Sequence, residues 1–178
     1  MLELRTARLL LRPFHTSDEE ALFHLWNEPQ VRRYLWDDQP VAREVVREQV
    51  TVSEQDFRER GFGEFGLFLA ERPGALMGFC GLRCIDGGED VELLYGLLPA
   101  FWGRGLATEA AQAVLRFAFE QVGLRELWAG ADFGNTASLR CLHRLGMTDA
   151  GVRRVGPEQL PAQYYRLRRL DFAASAGA

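Results

Sequence analysis

Two glycines stand close together just before the most regular helical pattern of the chain. Gly103 and Gly105 lie within residues 101–109, and apolar residues at helical spacing predict a helix over residues 106–122. Glycine lets a backbone approach a ligand closely, and the first turn of a helix presents unpaired N–H groups with a partial positive charge. The combination favours a phosphate-binding turn, although an ordinary glycine-containing loop has the same residues.

Two other phosphate-binding motifs do not fit this turn. A Rossmann-type dinucleotide turn needs a small residue at position 108, where this chain has Thr108, and a parallel strand before the turn. The preceding strands are instead predicted to form an antiparallel meander. A P-loop needs Gly-Lys followed by Ser or Thr, which is absent here. Arg104 is either a further cation for the anion or a solvated side chain.

The elements that position this turn alternate between strand and helix patterns. Strands are predicted over residues 8–13, 65–69, 75–85, 90–98, 125–133, 147–155 and 162–172. Helices are predicted over residues 17–27, 41–58, 106–122 and 136–145. Ser17 and Glu20 form a capping-box pattern at the first helix. The order predicts an α+β fold, with a mixed, mostly antiparallel sheet of about seven strands flanked by about four helices. We expect one domain over residues 1–172 and a frayed tail over residues 173–178.

Composition argues against several classes of protein. The chain has 178 residues and a formal net charge of -4, whereas nucleic-acid binders carry a clustered basic surplus. The start lacks the pattern of a secretory signal peptide, and no apolar run approaches the roughly 18 residues of a membrane span. Cys80, Cys84 and Cys141 form no metal-ligand or disulfide pattern. We therefore expect a reduced, cytoplasmic protein that binds no metal, membrane or nucleic acid.

Three separated blocks resemble the GCN5-related N-acetyltransferase (GNAT) superfamily. Residues 92–99 and 102–110 follow the pattern Glu-apolar-x-Tyr-x-Leu, Pro, Trp-Gly-(Lys/Arg)-Gly-x-Ala-Thr-Glu-Ala. This pattern is that of the RimJ/RimL-like bacterial branch, which acetylates ribosomal-protein N-termini. Residues 6–13 and 135–140 resemble the same branch, so the resemblance covers nearly the whole chain. It implies the acyl-CoA N-acyltransferase fold and direct transfer in a ternary complex. The broader superfamily often has Gln or Arg in place of Trp102.

The resemblance implies acetyl-coenzyme A (acetyl-CoA) as the donor, bound largely by backbone groups. In the family, N–H groups of the glycine turn bind the pyrophosphate, and pantetheine pairs like an added strand with the strand before the turn. Thr108 is expected to reach a phosphate or to cap the helix, and Asn135 to bind pantetheine or to cap the next helix. The implied cofactor-binding residues are Tyr95, Leu97, Leu98, Trp102, Gly103, Arg104, Gly105, Leu106, Ala107, Thr108 and Asn135.

Acetyl transfer from a thioester to an amine needs a proton acceptor for the amine and stabilisation of the leaving thiolate. Glu92 matches the Glu of the branch and is predicted to be the base; the alternative is a solvated strand residue. Many superfamily members use a Tyr as the acid, but Leu142 occupies that position here. The resemblance assigns the acid role to Ser138 instead, which otherwise only bonds to helix backbone.

Aromatic residues are predicted to line the cleft for the acceptor amine, with core packing as the alternative. The candidates are Trp26, Tyr34, Trp36 and Tyr164. A terminal α-amine, with a pKa of about 7.7–8.0, is easier to deprotonate than a lysine amine at about 10.4, so a protein N-terminus is favoured. The alternatives are a small-molecule amine (aminoglycoside, polyamine or amino acid) and a CoA-binding module without catalysis. The oligomeric state stays open, with a homodimer as the commonest soluble assembly.

Overall fold

A mixed sheet of eight strands runs through residues 2–176, the part of the chain that the computed structural model describes. Its spatial order is β1-β2-β3-β4-β5-β6-β8-β7. Neighbouring strands are antiparallel except β5 and β6, which are parallel. The strands are β1 (Leu4–Arg5), β2 (Leu9–Pro13), β3 (Glu64–Leu69), β4 (Gly78–Cys84), β5 (Val91–Leu97), β6 (Glu126–Ala131), β7 (Thr148–Val155) and β8 (Leu160–Arg168).

Six α-helices accompany the sheet within the same described residues. They are α1 (Glu19–Asn27), α2 (Pro29–Leu35), α3 (Arg43–Arg60), α4 (Leu106–Arg116), α5 (Thr136–Arg144) and α6 (Arg169–Ala176). A π-helical segment, Phe117–Val122, continues α4. No helix of residues 2–176 combines the length and the apolar content that a membrane span requires.

Apolar side chains pack on both faces of the sheet because alternate strand residues point to opposite faces. On β4, Cys80 and Leu82 belong to the larger core cluster, which includes most of α4. Phe79, between them in register, belongs to a second cluster with residues of α1 and α3. Gly81 and Arg83 lie on the same face of β4 as Phe79. This face therefore carries polar residues as well as apolar packing.

The structure confirms the predicted mixed sheet and corrects the start of its first helix. His15, and not Ser17, is the capping residue: its Nδ1 atom accepts the Ser17 N–H at 3.2 Å. Asp18 completes the box by accepting the His15 N–H at 2.9 Å, and it also forms an ion pair with Arg12 at 2.7 Å. A 3-10 turn over Thr16–Asp18 therefore precedes α1.

Three elements were not predicted: β1, α2 and α6. The predicted strand over residues 162–172 is wrong at its end, because β8 stops at Arg168. Arg168 lies opposite Glu126, the first residue of β6. After one further main-chain bond, from the Arg169 N–H to the Arg125 carbonyl at 2.9 Å, the chain continues as α6. Residues 173–176 of the predicted tail belong to α6, and residues 177–178 lie outside the described residues.

Candidate active site

The sheet opens between the parallel strands β5 and β6. Within the described residues, the two strands pair at one position, where Glu92 of β5 lies opposite Trp128 of β6. On its other side β5 stays paired with β4 through Leu97, and the Leu98 N–H donates to the Met77 carbonyl. Because main-chain groups of a strand alternate in direction, Tyr95 and Leu97 turn their N–H and C=O groups toward the opening. A ligand with amide groups can pair with this edge as an added strand.

The glycine turn lies directly beyond this open edge. Gly103 has a φ of 71° and Gly105 a φ of 73°, a left-handed conformation that residues with a β-carbon rarely adopt. A β-carbon at Gly103 would meet no atom within 4 Å, so this side of the turn is open. α4 begins immediately after Gly105, and no side chain of the described residues caps it. The first N–H groups of α4 are therefore available to an anion.

An N-terminal brace holds the turn in place. Arg8 donates from Nη1 to the Arg104 carbonyl at 2.9 Å and from Nε to a Glu109 carboxylate oxygen at 2.6 Å. The Thr6 hydroxyl donates to the other carboxylate oxygen of Glu109 at 2.6 Å. Burial alone would raise the pKa of Glu109, but the hydrogen bonds from Thr6 and Arg8 lower it. Sequence reasoning missed this brace, although residues 6–13 and Glu109 both lie in the blocks that resemble the family.

A cavity of about 440 Å³, here called the turn cavity, lies between the glycine turn, β5, α2 and α5. Nine of the predicted cofactor-binding residues line it: Tyr95, Leu97, Trp102, Gly103, Gly105, Leu106, Ala107, Thr108 and Asn135. Leu98 and Arg104 do not. Leu98 packs against the cluster of α1 and α3, and the Arg104 carbonyl is taken by Arg8. The cavity thus combines an anion-binding helix start with an open strand edge.

Trp102 connects the turn to the open edge of β5. Its indole N–H donates to the Leu97 carbonyl at 2.7 Å, while 45% of the residue is exposed. The Leu97 carbonyl is one of the acceptors that face the opening, so the indole occupies a position where an added strand would bond.

Thr108 and Asn135 each make a contact inside the protein. The Thr108 hydroxyl lies 3.4 Å from the Cys141 sulfur and so links α4 to α5; it does not cap α4, whose N-cap is Gly105. The Asn135 Oδ1 atom accepts the Ser138 N–H at 3.1 Å and caps α5. Its Nδ2 donors are not used by that cap, and the residue lines both cavities described here.

Tyr95 and Ser138 form a hydroxyl pair at the start of α5. Their hydroxyl oxygens are 3.0 Å apart, and the Tyr95 hydroxyl also lies 3.3 Å from the Ser138 carbonyl oxygen. Burial, with a smaller effect of Cys141, raises the pKa of Tyr95 well above its usual value, although the Ser138 hydrogen bond lowers it. Tyr95 is therefore held as a neutral proton donor. Sequence reasoning assigned Tyr95 only a backbone role and missed its hydroxyl.

A second cavity of about 670 Å³, here called the acidic cleft, meets the turn cavity. Five residues line both: Tyr34, Leu35, Tyr95, Asn135 and Ser138. The charged residues of the cleft wall include two arginines, Arg60 and Arg83. Its acidic residues are Asp37, Asp56, Glu64, Asp86, Glu92, Asp132 and Glu158. This excess of carboxylates suits a cationic molecule.

Glu92 lies in the acidic cleft with both carboxylate oxygens engaged. Arg83 donates to one oxygen at 2.8 Å, and the Tyr164 hydroxyl donates to the other at 2.9 Å. Burial, and next the Glu92 charge, raise the pKa of Tyr164, so its hydroxyl stays protonated. A β-carbon at Gly130 would lie within 3.0–3.2 Å of the Tyr164 ring, so glycine gives this ring room over β6. A carboxylate has about four acceptor sites, so Glu92 can still accept a hydrogen bond from a further donor, such as an ammonium group.

The predicted aromatic residues divide between cleft and core. Tyr34, Trp36 and Tyr164 line the acidic cleft, and the Tyr34 hydroxyl donates to the Gly134 carbonyl at 3.3 Å. Trp26 lines neither cavity: it is 2% exposed and packs in the cluster under α1. The prediction for Trp26 is corrected because this residue lies on the inward stripe of α1, where apolar burial dominates.

Sequence reasoning also missed Glu64, the first residue of β3. This residue is 5% exposed and lines the acidic cleft. Burial raises the pKa of Glu64 to about 7, with Glu92 and Asp56 adding to the effect and Arg83 opposing it. The available signal was an acidic residue within the otherwise apolar run of residues 62–69.

Comparisons with known proteins agree with this geometry. Residues 8–148 match the family described as Acetyltransferase (GNAT) domain. The chain is 28% identical over 156 residues to the uncharacterized N-acetyltransferase p20 of Bacillus licheniformis, with 85% of each chain covered. Its fold is similar to that of an acetyltransferase from Agrobacterium tumefaciens str. C58, with a TM-score of 0.81 and 25% identity over 94% of this chain and 95% of that chain.

A further solved structure has the same fold at lower identity. It is RimL, a ribosomal L7/L12 alpha-N-protein acetyltransferase in complex with coenzyme A, with a TM-score of 0.76 and 18% identity over 94% of this chain and 98% of that chain. The resemblance that the sequence blocks indicated is confirmed by the family match, which spans most of the chain. The protein belongs to the GNAT acetyltransferase family and is an N-acetyltransferase.

Proposed function

We propose that this N-acetyltransferase uses acetyl-CoA and transfers its acetyl group directly to a primary amine in a ternary complex. The observation that carries the proposal is the meeting of the two cavities at Tyr95, Asn135 and Ser138. One cavity has an anion-binding helix start, and the other has an excess of carboxylates. A donor with a pyrophosphate and an acceptor with an ammonium group would therefore meet where the cavities join.

The turn cavity fits the donor. The open side of Gly103 and the free N–H groups at the start of α4 suit the pyrophosphate. The edge of β5 at Tyr95 and Leu97 suits the amides of the pantetheine arm. When bound, acetyl-CoA supplies a thioester acyl group. The pantetheine arm either displaces the Trp102 indole from the Leu97 carbonyl or lies beside it. Asn135, which lines the same cavity, has its Nδ2 donors free of the α5 cap.

Two groups of side chains carry the proton transfers. Glu92 accepts the proton of the acceptor ammonium, directly or through a water, while Arg83 and Tyr164 fix its orientation. Ser138, hydrogen-bonded to the Tyr95 hydroxyl, donates to the leaving thiolate. Tyr95, kept neutral by its burial, orients the Ser138 hydroxyl, so the pair stabilises the leaving thiolate by a hydrogen bond and does not need to transfer its own proton.

A protein N-terminal α-amine is the acceptor that the sequence blocks favour. RimL, which has the same fold, is by its name an alpha-N-protein acetyltransferase. The excess of carboxylates in the acidic cleft supports a second candidate, a cationic small-molecule amine. Both candidates are primary amines and use the same catalytic groups.

Calorimetric titration with acetyl-CoA tests the donor. Binding is expected, and absence of binding at about millimolar donor, the upper end of ordinary KM values, would overturn the proposal. Release of free thiol with a panel of peptides and small amines then ranks the acceptors. Because the chain contains no lysine, the enzyme adds only its own N-terminus to the amines in the assay.

A further inference from the structure

Glu64 carries a buried carboxylate without a partner. Its main chain is fully engaged: the N–H donates to the Ser53 hydroxyl at 2.8 Å, and the carbonyl accepts the Phe14 N–H at 3.1 Å. Its carboxylate oxygens, in contrast, have no hydrogen bond or ion pair with any residue in the described range 2–176. The residue is 5% exposed and faces the acidic cleft. A buried charge without a partner is costly, so its retention points to a ligand.

The charged groups around Glu64 do not neutralise it. Arg83, on the neighbouring strand β4, is bonded to Glu92 of β5 at 2.8 Å. Arg60 and Asp56, both on α3, are paired with each other at 3.1 Å. Each arginine near Glu64 thus has its own carboxylate, and the cluster keeps one negative charge in excess when Glu64 is ionised. A cation that enters the cleft would balance this charge.

The position of Glu64 relative to Glu92 sets where such a cation would lie. Glu64 is opposite Gly81 on β4, and Gly81 is opposite Leu94 on β5, so the three residues share one face of the sheet. Two strand spacings put Glu64 about 10 Å from β5. A β-carbon at Gly81 would lie 2.4 Å from the Glu64 Cα atom, so Glu64 packs directly against Gly81. Glu92 lies opposite Arg83, the next residue of β4 on the same face, and both Glu64 and Glu92 line the acidic cleft. An acceptor amine beside Glu92 would then have its far end near Glu64.

We propose that Glu64 binds a second cationic group of the acceptor, which is an alkyl diamine or polyamine whose other amine is acetylated beside Glu92. The inference rests on the proposed function and selects its second candidate. Glu64 is then a specificity-determining residue, because it contacts the acceptor without contacting the reacting amine. A monoamine of the same length would leave the Glu64 charge unbalanced and bind more weakly.

Calorimetry with diaminopentane and pentylamine tests the proposal, with the chain alone and again saturated with coenzyme A. We expect diaminopentane to bind the unmodified protein at least about tenfold more tightly than pentylamine, a difference of about 1.4 kcal/mol. Glu64→Gln should abolish this preference and leave pentylamine binding unchanged. Glu158→Gln, which removes an exposed carboxylate of the same cleft, should keep the preference.

The pH dependence gives a second readout that needs no variant. Glu64 titrates near pH 7 among Glu92, Asp56 and Arg83, and binding of a cation requires its ionised form. The preference for diaminopentane should therefore weaken below about pH 7 and vanish in Glu64→Gln at every pH. Equal binding of both amines, or a preference that survives Glu64→Gln, would overturn the proposal. Failure of acetyl-CoA to bind would instead contradict the proposed function. The amine titrations with the chain alone would still test the role of Glu64.

Discussion

Replacement of Glu64 with glutamine should change how the free energy of unfolding depends on pH. Burial raises the pKa of this carboxyl from its ordinary 4.5 to about 7, so the folded chain keeps a proton that the unfolded chain releases. The free energy of unfolding is therefore highest, as far as Glu64 contributes, below pH 4.5, where this carboxyl is protonated in both states. This contribution is lost as the pH rises to about 7 and stays lost above that. At about 1.36 kcal/mol for each pH unit of this interval, the loss is about 3 kcal/mol.

The assay is urea unfolding of both proteins across this pH range. Relative to the unmodified protein, Glu64→Gln should gain about 3 kcal/mol between acidic and neutral pH, because glutamine has no proton to lose. Glu158→Gln, at an exposed position, is the control that should not produce this gain. A stability difference between the two proteins that does not vary with pH would refute the reasoning that Glu64 is buried without a partner.

Three further substitutions test the remaining parts of the site. Arg8→Ala should weaken acetyl-CoA binding about tenfold in calorimetry, since it removes charge-assisted hydrogen bonds that brace the glycine turn; unchanged affinity would show that the turn holds itself. Tyr164→Phe should lower kcat about fivefold with little effect on donor affinity, because Glu92 loses one hydrogen bond, and an effect on donor affinity alone would contradict this role. Tyr95→Phe should also lower kcat, because Ser138 loses its hydroxyl partner; unchanged turnover would exclude a role for the Tyr95 hydroxyl in orienting Ser138.

The sequence predicted the turn and its flanking elements well because their signals are local. The end of a strand before Pro99, two glycines and the start of an amphipathic helix follow one another within residues 97–109, and each of these signals is local in sequence. The left-handed backbone at Gly105 follows from the residue type alone. Nine of the eleven residues predicted for the donor line one cavity for the same reason, since the turn and the strand before it carry most of them.

The network around Glu92 could not be predicted because Tyr164 lies 72 residues further along the chain, and Arg83, although on the neighbouring strand, is placed only by the strand register. Arg83 and Tyr164 lie on β4 and β8, and only the register of the folded sheet brings them to Glu92. The same holds for Glu64, because the sequence does not show whether the folded protein places a basic side chain beside its carboxylate. The prediction that Trp26 lines the acceptor cleft was wrong for another reason. Helical spacing shows which residues share a stripe of α1 but not whether the sheet covers that stripe.

The small helices were missed because tertiary packing, and not propensity, stabilises them. α2 begins at Pro29, a residue that predicts the end of α1 but is also a favourable first residue of a new helix. α6 begins where β8 runs out of partners, at a position that the sequence alone does not mark.

Release of coenzyme A thiol in the presence of both acetyl-CoA and a primary amine is the measurement that tests the central claim most directly. The account predicts thiol and acetylated amine in equal amounts, formation of both only when both substrates are present, and a marked loss of turnover in Glu92→Gln with donor affinity retained. No thiol release above the amine-free blank with any peptide or small amine, at about millimolar donor, would contradict it.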